Sequence, residues 1–138
     1  MYAPAFASLL LPVLESEFGE CDALVPVPLH RWRHIRRGFN QAGELCRELA
    51  ARTDLRVVDR ACRVRSTKTQ SGLTSAMRKK NLRGAFAVRG RLNAHYPLII
   101  DDVITTGTTC EHLAIALKAA GAKRVGVLTV ARSSTLVN

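Results

Sequence analysis

Carboxylates are scarce in this chain of 138 residues: 11 Asp and Glu stand against 21 Lys and Arg, leaving a net charge of +10. Such a balance asks for an anionic partner (a polyphosphate, a nucleic acid or an acidic protein) unless the basic surface serves only solubility. Aromatic residues are also few, at 5%. A stacking platform of the kind single-strand binders use is therefore not evident, which turns the charge towards phosphates rather than bases. The cysteines, Cys21, Cys46, Cys62 and Cys110, lie far apart and form no Cys-x-x-Cys pair. Metal-site spacing is absent, and they read as buried or incidental thiols of a reducing compartment. No apolar run approaches the ~20 residues of a membrane-spanning helix, so no membrane insertion is expected. The apolar opening from Met1 to Leu14 carries no basic leader and holds Pro4 and Pro12, unlike a secretory signal. The expectation is a cytoplasmic protein. No Gly-x-Gly-x-x-Gly follows a strand, which leaves a dinucleotide-binding dehydrogenase weakly supported.

What is present suits one globular domain spanning residues 1–138, with 47% hydrophobic residues and a length that can bury a real core. Apolar residues at spacings of three and four predict a helix over residues 2–18. Pro4 fits its first turn, while Pro12 is expected to end or kink it. Ala23 to Pro28 reads as a short strand entering a turn, with Pro26 at a strand end. Asn40 is a plausible N-cap for a helix over residues 41–52, and Leu55 to Val58 a further strand. A long polar and basic segment, Arg63 to Arg83, is either a surface insertion or a functional loop. Gly84 to Val88 suggests a hairpin arm. Lys123 to Val130 is a final, continuously apolar strand of the buried parallel kind.

The chemistry concentrates between Pro97 and Thr109. A strand over Pro97 to Ile100 runs into Asp101 and Asp102, then into Thr105-Thr106-Gly107-Thr108-Thr109, then into a helix from about Cys110 to Ala120, with Gly121 at its C-cap. Taken alone, this is a buried strand followed by a threonine-rich turn that caps a helix. It also suits a ligand with a phosphate at one end and a vicinal diol at the other. Unpaired amides and the helix dipole favour the phosphate, and the two carboxylates accept hydrogen bonds from sugar hydroxyls. Ribose 5-phosphate is such a ligand. A second cluster, Arg31, Arg33, Arg36 and Arg37 with His30 and His34, follows the first strand. Crowded guanidinium forks suit phosphate oxygens, although a solvated basic face is the plainer account.

The Pro97–Thr109 stretch resembles the phosphoribosyl-pyrophosphate (PRPP) binding motif of type I phosphoribosyltransferases. The strings Val25-Pro-Val-Pro-Leu-His and Arg36-Arg-Gly-Phe-Asn-Gln further resemble the ComF-like branch, linked to DNA uptake and gluconate utilisation. The resemblance covers nearly all of the chain from Ala23 to Arg132. It implies an α/β fold, a mainly parallel sheet flanked by helices. By position it gives Asp101 and Asp102 the ribose hydroxyls and Thr105, Thr106, Gly107, Thr108 and Thr109 the 5′-phosphate. Pyrophosphate would fall to the loop from Val27 and Pro28 onward, with Arg33, Arg36 and Arg37 as ligands. The segment around Thr67, Gln70, Arg78, Asn81 and Gly84 would be the catalytic loop, with Arg78 and Lys79 closing on the pyrophosphate.

Mg²⁺ is the implied cofactor, held by Asp101 or Asp102 directly or through water. PRPP or ribose 5-phosphate is the implied ligand, the acceptor is unknown, and a homodimer is compatible with the resemblance. No general base stands out, since His95 and His112 read as surface or structural. Many ComF-like chains carry an amino-terminal zinc-binding segment with Cys-x-x-Cys pairs, which this chain lacks. Only residues 1–22, read as a helical segment and remnant hood, and the tail could form an acceptor hood. Two functions therefore stand: a phosphoribosyltransferase, or a competence-related module that holds single-stranded DNA on its basic loops.

Overall fold

Along the central strands, apolar side chains alternate between two faces, and each face collects its own core. The computed structural model describes residues 2–28, 40–64, 85–104 and 107–132. Its elements run α1 (Ala3–Glu17), β1 (Ala23–Pro26), α2 (Gln41–Ala51), β2 (Arg56–Val57), β3 (Ala61–Arg63), β4 (Phe86–Val88), β5 (Pro97–Ile104), α3 (Thr108–Ala119) and β6 (Gly126–Arg132). Four strands form a wholly parallel sheet in the order β2-β1-β5-β6. Strands β3 and β4 pair antiparallel beside it, with Ala61 opposite Val88 and Arg63 opposite Phe86. The expected mainly parallel α/β architecture is what the chain adopts.

Leu24, Leu98, Ile100 and Leu128 point to one face, where α1 supplies Ala7, Leu10 and Leu14 and α2 supplies Leu45, Cys46 and Leu49. Ala23, Val25, Val27 and Ile99 point to the other, where Cys110, Leu113 and Leu117 of α3 meet Ala61 and Phe86 of the hairpin. This is the period-2 alternation of strands covered on both sides. Close backbone approach matters at one point. A Cβ on Gly126 would come within 2.9 Å of Leu98 Cδ1 and 3.0 Å of Phe18 Cε1, so glycine lets the end of α1 close onto the sheet.

Several boundaries differ from the sequence reading, each for a stated reason. Helix α1 runs through Pro12 rather than ending there. Pro12 is exposed, so the Ser8 carbonyl left without an amide partner faces water. Strand β5 continues past Ile100 to Ile104, because β6 offers ladder partners through Asp101↔Thr129 and on to Ile104↔Arg132. Helix α3 begins at Thr108, two residues before the expected Cys110. Strand β3 was hidden at the edge of a segment whose composition reads as loop. The N-cap at Asn40 holds as expected, its Oδ1 accepting from Ala42 N at 3.0 Å. Gly121 follows the C-cap of α3 with φ +118°, a left-handed turn that suits glycine.

Candidate sugar-phosphate site

The strand order itself creates a crevice. From β1 the chain passes through α2 to β2 on one side, and from β5 through α3 to β6 on the other. The two crossover helices consequently cover opposite faces of the sheet, as right-handed crossovers require. The adjacent carboxyl ends of β1 and β5 mark this switch point, which is where open α/β sheets bind ligands.

Each side of this crevice is anchored. On the β1 side, Val27 is buried and donates its N–H to Ile100 O at 3.1 Å. Its carbonyl accepts from Asn40 Nδ2 at 3.2 Å. Asn40 therefore caps α2 and fixes the start of the arginine-rich loop at once. Half-buried Pro28 continues the chain at this point.

On the β5 side, Asp101 and Asp102 lie inside the strand, half-buried. Asp101 shares the face of Ile99, above the first turn of α3, where its charge acts on the Cys110 thiol. Burial first, then the hydrogen-bonding and negative charge of Asp102, push the Asp101 carboxyl up from 3.8 to about 7. The Asp102 backbone N–H, donating to Asp101 Oδ1 at 2.9 Å, pulls the other way and does not prevail. Thr129 of β6, opposite Asp101, has its Oγ1 3.2 Å from Asp102 O and 3.1 Å from Ala131 O, within reach to donate to either. Sequence reasoning missed Thr129, since no local signal marks a residue acting from a strand 27 positions away.

Gly107 is the N-cap of α3, with φ +77° and no side-chain cap bond. A Cβ there would meet nothing within 4 Å, so conformation alone selects glycine. Thr108 and Thr109 form the first helical turn rather than the loop, and both are half-buried. The N-terminal amides of an α-helix thus follow directly from the acidic strand. Of the residues expected in the site, Val27, Pro28, Asp101, Asp102, Gly107, Thr108 and Thr109 occur in these two anchored walls. Arg33, Arg36, Arg37, Arg78, Lys79, Thr105 and Thr106 lie outside the described residues.

Cys21, Cys46 and Cys110 are buried, and burial raises the pKa of all three thiols, Cys110 to about 12. Among the described residues no group of three or more His, Cys, Asp and Glu could hold a metal. No helix among them is long and apolar enough to cross a membrane.

A doubly wound parallel sheet with an acidic strand end and a helix amino terminus at its switch point defines an α/β class whose ligand sites, where they occur, lie at that switch point. The chain belongs to the phosphoribosyl transferase domain family, whose model matches residues 35–136. It is 39% identical over 113 residues to the DNA utilization protein YhgH of Escherichia coli O6:H1, covering 81% of this chain and 50% of that protein. It is 36% identical over 117 residues to competence protein F of Haemophilus influenzae, covering 81% and 51% respectively. The chain therefore spans about half the length of the curated relatives it matches.

Among solved structures, the glutamine PRPP amidotransferase of B. subtilis superposes with a TM-score of 0.57 at 20% identity, covering 93% of this chain and 26% of that one. The orotate phosphoribosyltransferase of Aeropyrum pernix gives 0.54 at 18% identity, covering 93% and 70%. These likenesses establish the type I phosphoribosyltransferase fold.

Proposed function

We propose that this domain binds PRPP, or ribose 5-phosphate as its shorter analogue, in the crevice between β1 and β5, and transfers the phosphoribosyl group to an acceptor. The observation that carries the reading is the placement of Asp101 and Asp102 at the switch point, immediately ahead of the amino terminus of α3. A carboxylate that burial and a like charge hold out of its ordinary range gains most from a ligand that brings hydrogen-bond donors. Vicinal ribose hydroxyls are such donors. The amides at Gly107, Thr108 and Thr109 receive the 5′-phosphate, helped by the helix dipole.

Among the described residues the acidic strand end offers two carboxylates, Asp101 and Asp102. That fits Mg²⁺, which prefers one or two carboxylates together with substrate phosphates and water. Asp101 and Asp102 would hold it, directly or through water, and it would neutralise the departing pyrophosphate. The protein's part is positional and electrostatic: the acids orient the ribose, and Val27, Pro28, Arg33, Arg36 and Arg37 cradle the pyrophosphate. Arg78 and Lys79 supply further positive charge as the bond to the ribose C1 lengthens.

Calorimetric titration of PRPP with Mg²⁺ into the wild type and into Asp101→Asn/Asp102→Asn tests this reading. Saturable binding that disappears in the folded double variant supports it. A folded wild type that takes up no PRPP would sink it. A second reading, a competence-related protein that holds single-stranded DNA on its basic loops, draws on the net charge of +10 and the names of the relatives. Strand affinity that survives neutralisation of both aspartates would favour it.

A further inference from the structure

At the opposite end of the sheet, the connection from β4 to β5 forms the spine of an unpaired cationic strip. Arg56, at the start of β2, donates from its guanidinium to Asn93 O. Arg60 Nη1 donates to Arg91 O at 3.1 Å, and Arg89 N donates to Arg60 O at 2.8 Å. Lys123 N donates to His95 O at 2.9 Å, which extends the strip towards β6. Arg56, Arg60, Arg89, Arg91 and Lys123 are all exposed.

The strip has little acid to neutralise it. The ion pairs among the described residues are Arg47–Glu44, Arg52–Glu48 and Arg124–Glu20, and none involves Arg56, Arg60, Arg89 or Arg91. The Asp22 carboxylate accepts from the backbone N–H groups of His95 and Tyr96, at 2.7 and 2.9 Å. Glu20 faces Arg124 at 3.7 Å. Among the described residues, Asp54, two positions before Arg56, and Asp59, next to Arg60, are exposed and remain as countercharges, two carboxylates against Arg56, Arg60, Arg89, Arg91 and Lys123.

The shape of the strip selects its partner. Along residues 91–95 exposure alternates: Arg91, Asn93 and His95 face solvent, while Leu92 and Ala94 are buried in the core. The exposed side is therefore polar throughout, without the apolar centre that protein–protein interfaces carry. No base-stacking ring is offered either, since Tyr96 is buried with the Arg124 guanidinium 4.4 Å above its ring. What remains is a row of guanidinium donors, two of them held against main-chain carbonyls with further N–H groups to spare. Pre-placed cations in a row, without pockets or platforms, match a polymer of phosphates better than a compact anion.

We propose that this strip, centred on Arg56, Arg60, Arg89 and Arg91, is a docking surface for the phosphodiester backbone of a nucleic acid, read without sequence preference. It is separate from the sugar-phosphate crevice. Arg56 is level with Pro97 across the sheet, and Asp101 stands four residues further along β5, about 13 Å away along the strand. The proposal does not depend on PRPP binding.

The test is fluorescence anisotropy of the full chain with labelled single-stranded and duplex oligonucleotides over a range of salt. Removing four backbone contacts from a single strand should reduce the steepness of log K against log salt by about 3. Arg56→Gln/Arg60→Gln/Arg89→Gln/Arg91→Gln should show that reduction, whereas Arg47→Gln/Arg52→Gln, which removes paired charge on α2, should change the slope much less. Arg89→Gln/Arg91→Gln alters no side-chain bond described above, so it keeps the test valid if the fourfold variant folds poorly; about half the effect is expected.

Saturating PRPP with Mg²⁺ should leave strand binding in place. An unchanged slope in the double and fourfold variants would overturn the proposal. So would complete displacement of the strand by PRPP, or competition by polyglutamate as effective as that by an unlabelled strand.

Discussion

Asp101 shows how one residue couples the fold to its ligand. Its carboxyl titrates higher in the folded chain than in the unfolded one, about 7 against 3.8, chiefly because it is buried. The folded state therefore binds more protons between these values, and stability falls as pH rises through that window. Below it the carboxyl is neutral in both states and costs nothing; above it the folded protein carries a poorly solvated charge. Asp101→Asn should then raise the melting temperature of the unliganded protein at pH 8 by an amount on the order of a few degrees. The gain should shrink towards pH 4, and PRPP binding should be lost throughout. Scanning calorimetry at the two pH values, in the presence of a chelator, checks the sign. A variant less stable than the wild type at pH 8 would show that Asp101 is satisfied within the protein.

At the scale of elements, helix α2 and the loop after β1 share one residue. Asn40 accepts from Ala42 N, and its amide donates to Val27 O. Asn40→Ala should cost about 1 kcal/mol for the cap alone, measured as a lower urea midpoint. It should also weaken pyrophosphate binding more than ribose 5-phosphate binding, because Val27 begins the loop assigned to pyrophosphate. Asn40→Asp should recover the cap but not the bond to Val27, since a carboxylate cannot donate. Equal losses for both ligands would mean that the asparagine matters only to the helix. The cap was legible in the sequence as a polar residue just ahead of an amphipathic run. Its second bond was not, because Val27 lies 13 residues away and only the packing of α2 against β1 brings the two together.

Across the whole molecule, both cores rest on β1, β5 and β6. Leu113 is fully buried between α3 and the sheet. Leu113→Ala should cost about 2–5 kcal/mol, with a single urea transition and an unchanged denaturant slope. Two separate transitions would show that the layer of α1 and α2 folds without the layer of α3 and the hairpin. One transition is expected because Ile99 and Ile100, neighbours on β5, each lie at the centre of a different core.

The fold class, most of the elements and the residues at the two strand ends of the crevice were legible in the residues alone. Those depend on local chemistry: alternation along strands, a cap ahead of a helix, acids followed by a glycine that can adopt a left-handed turn. Local patterns also misled at the edges. Pro12 suggests an end or a kink in α1, and Asp101 the end of its strand; the helix continues and the strand runs on, because solvent exposure and the ladder from β6 are not local quantities. The tertiary structure alone decided which strands are neighbours, how far Asp101 is desolvated, and that Arg56 and Arg60 meet Arg89 and Arg91. The physical reason is the same in each case. Burial and charge density are set by groups far apart in sequence, and only packing the sheet makes them adjacent.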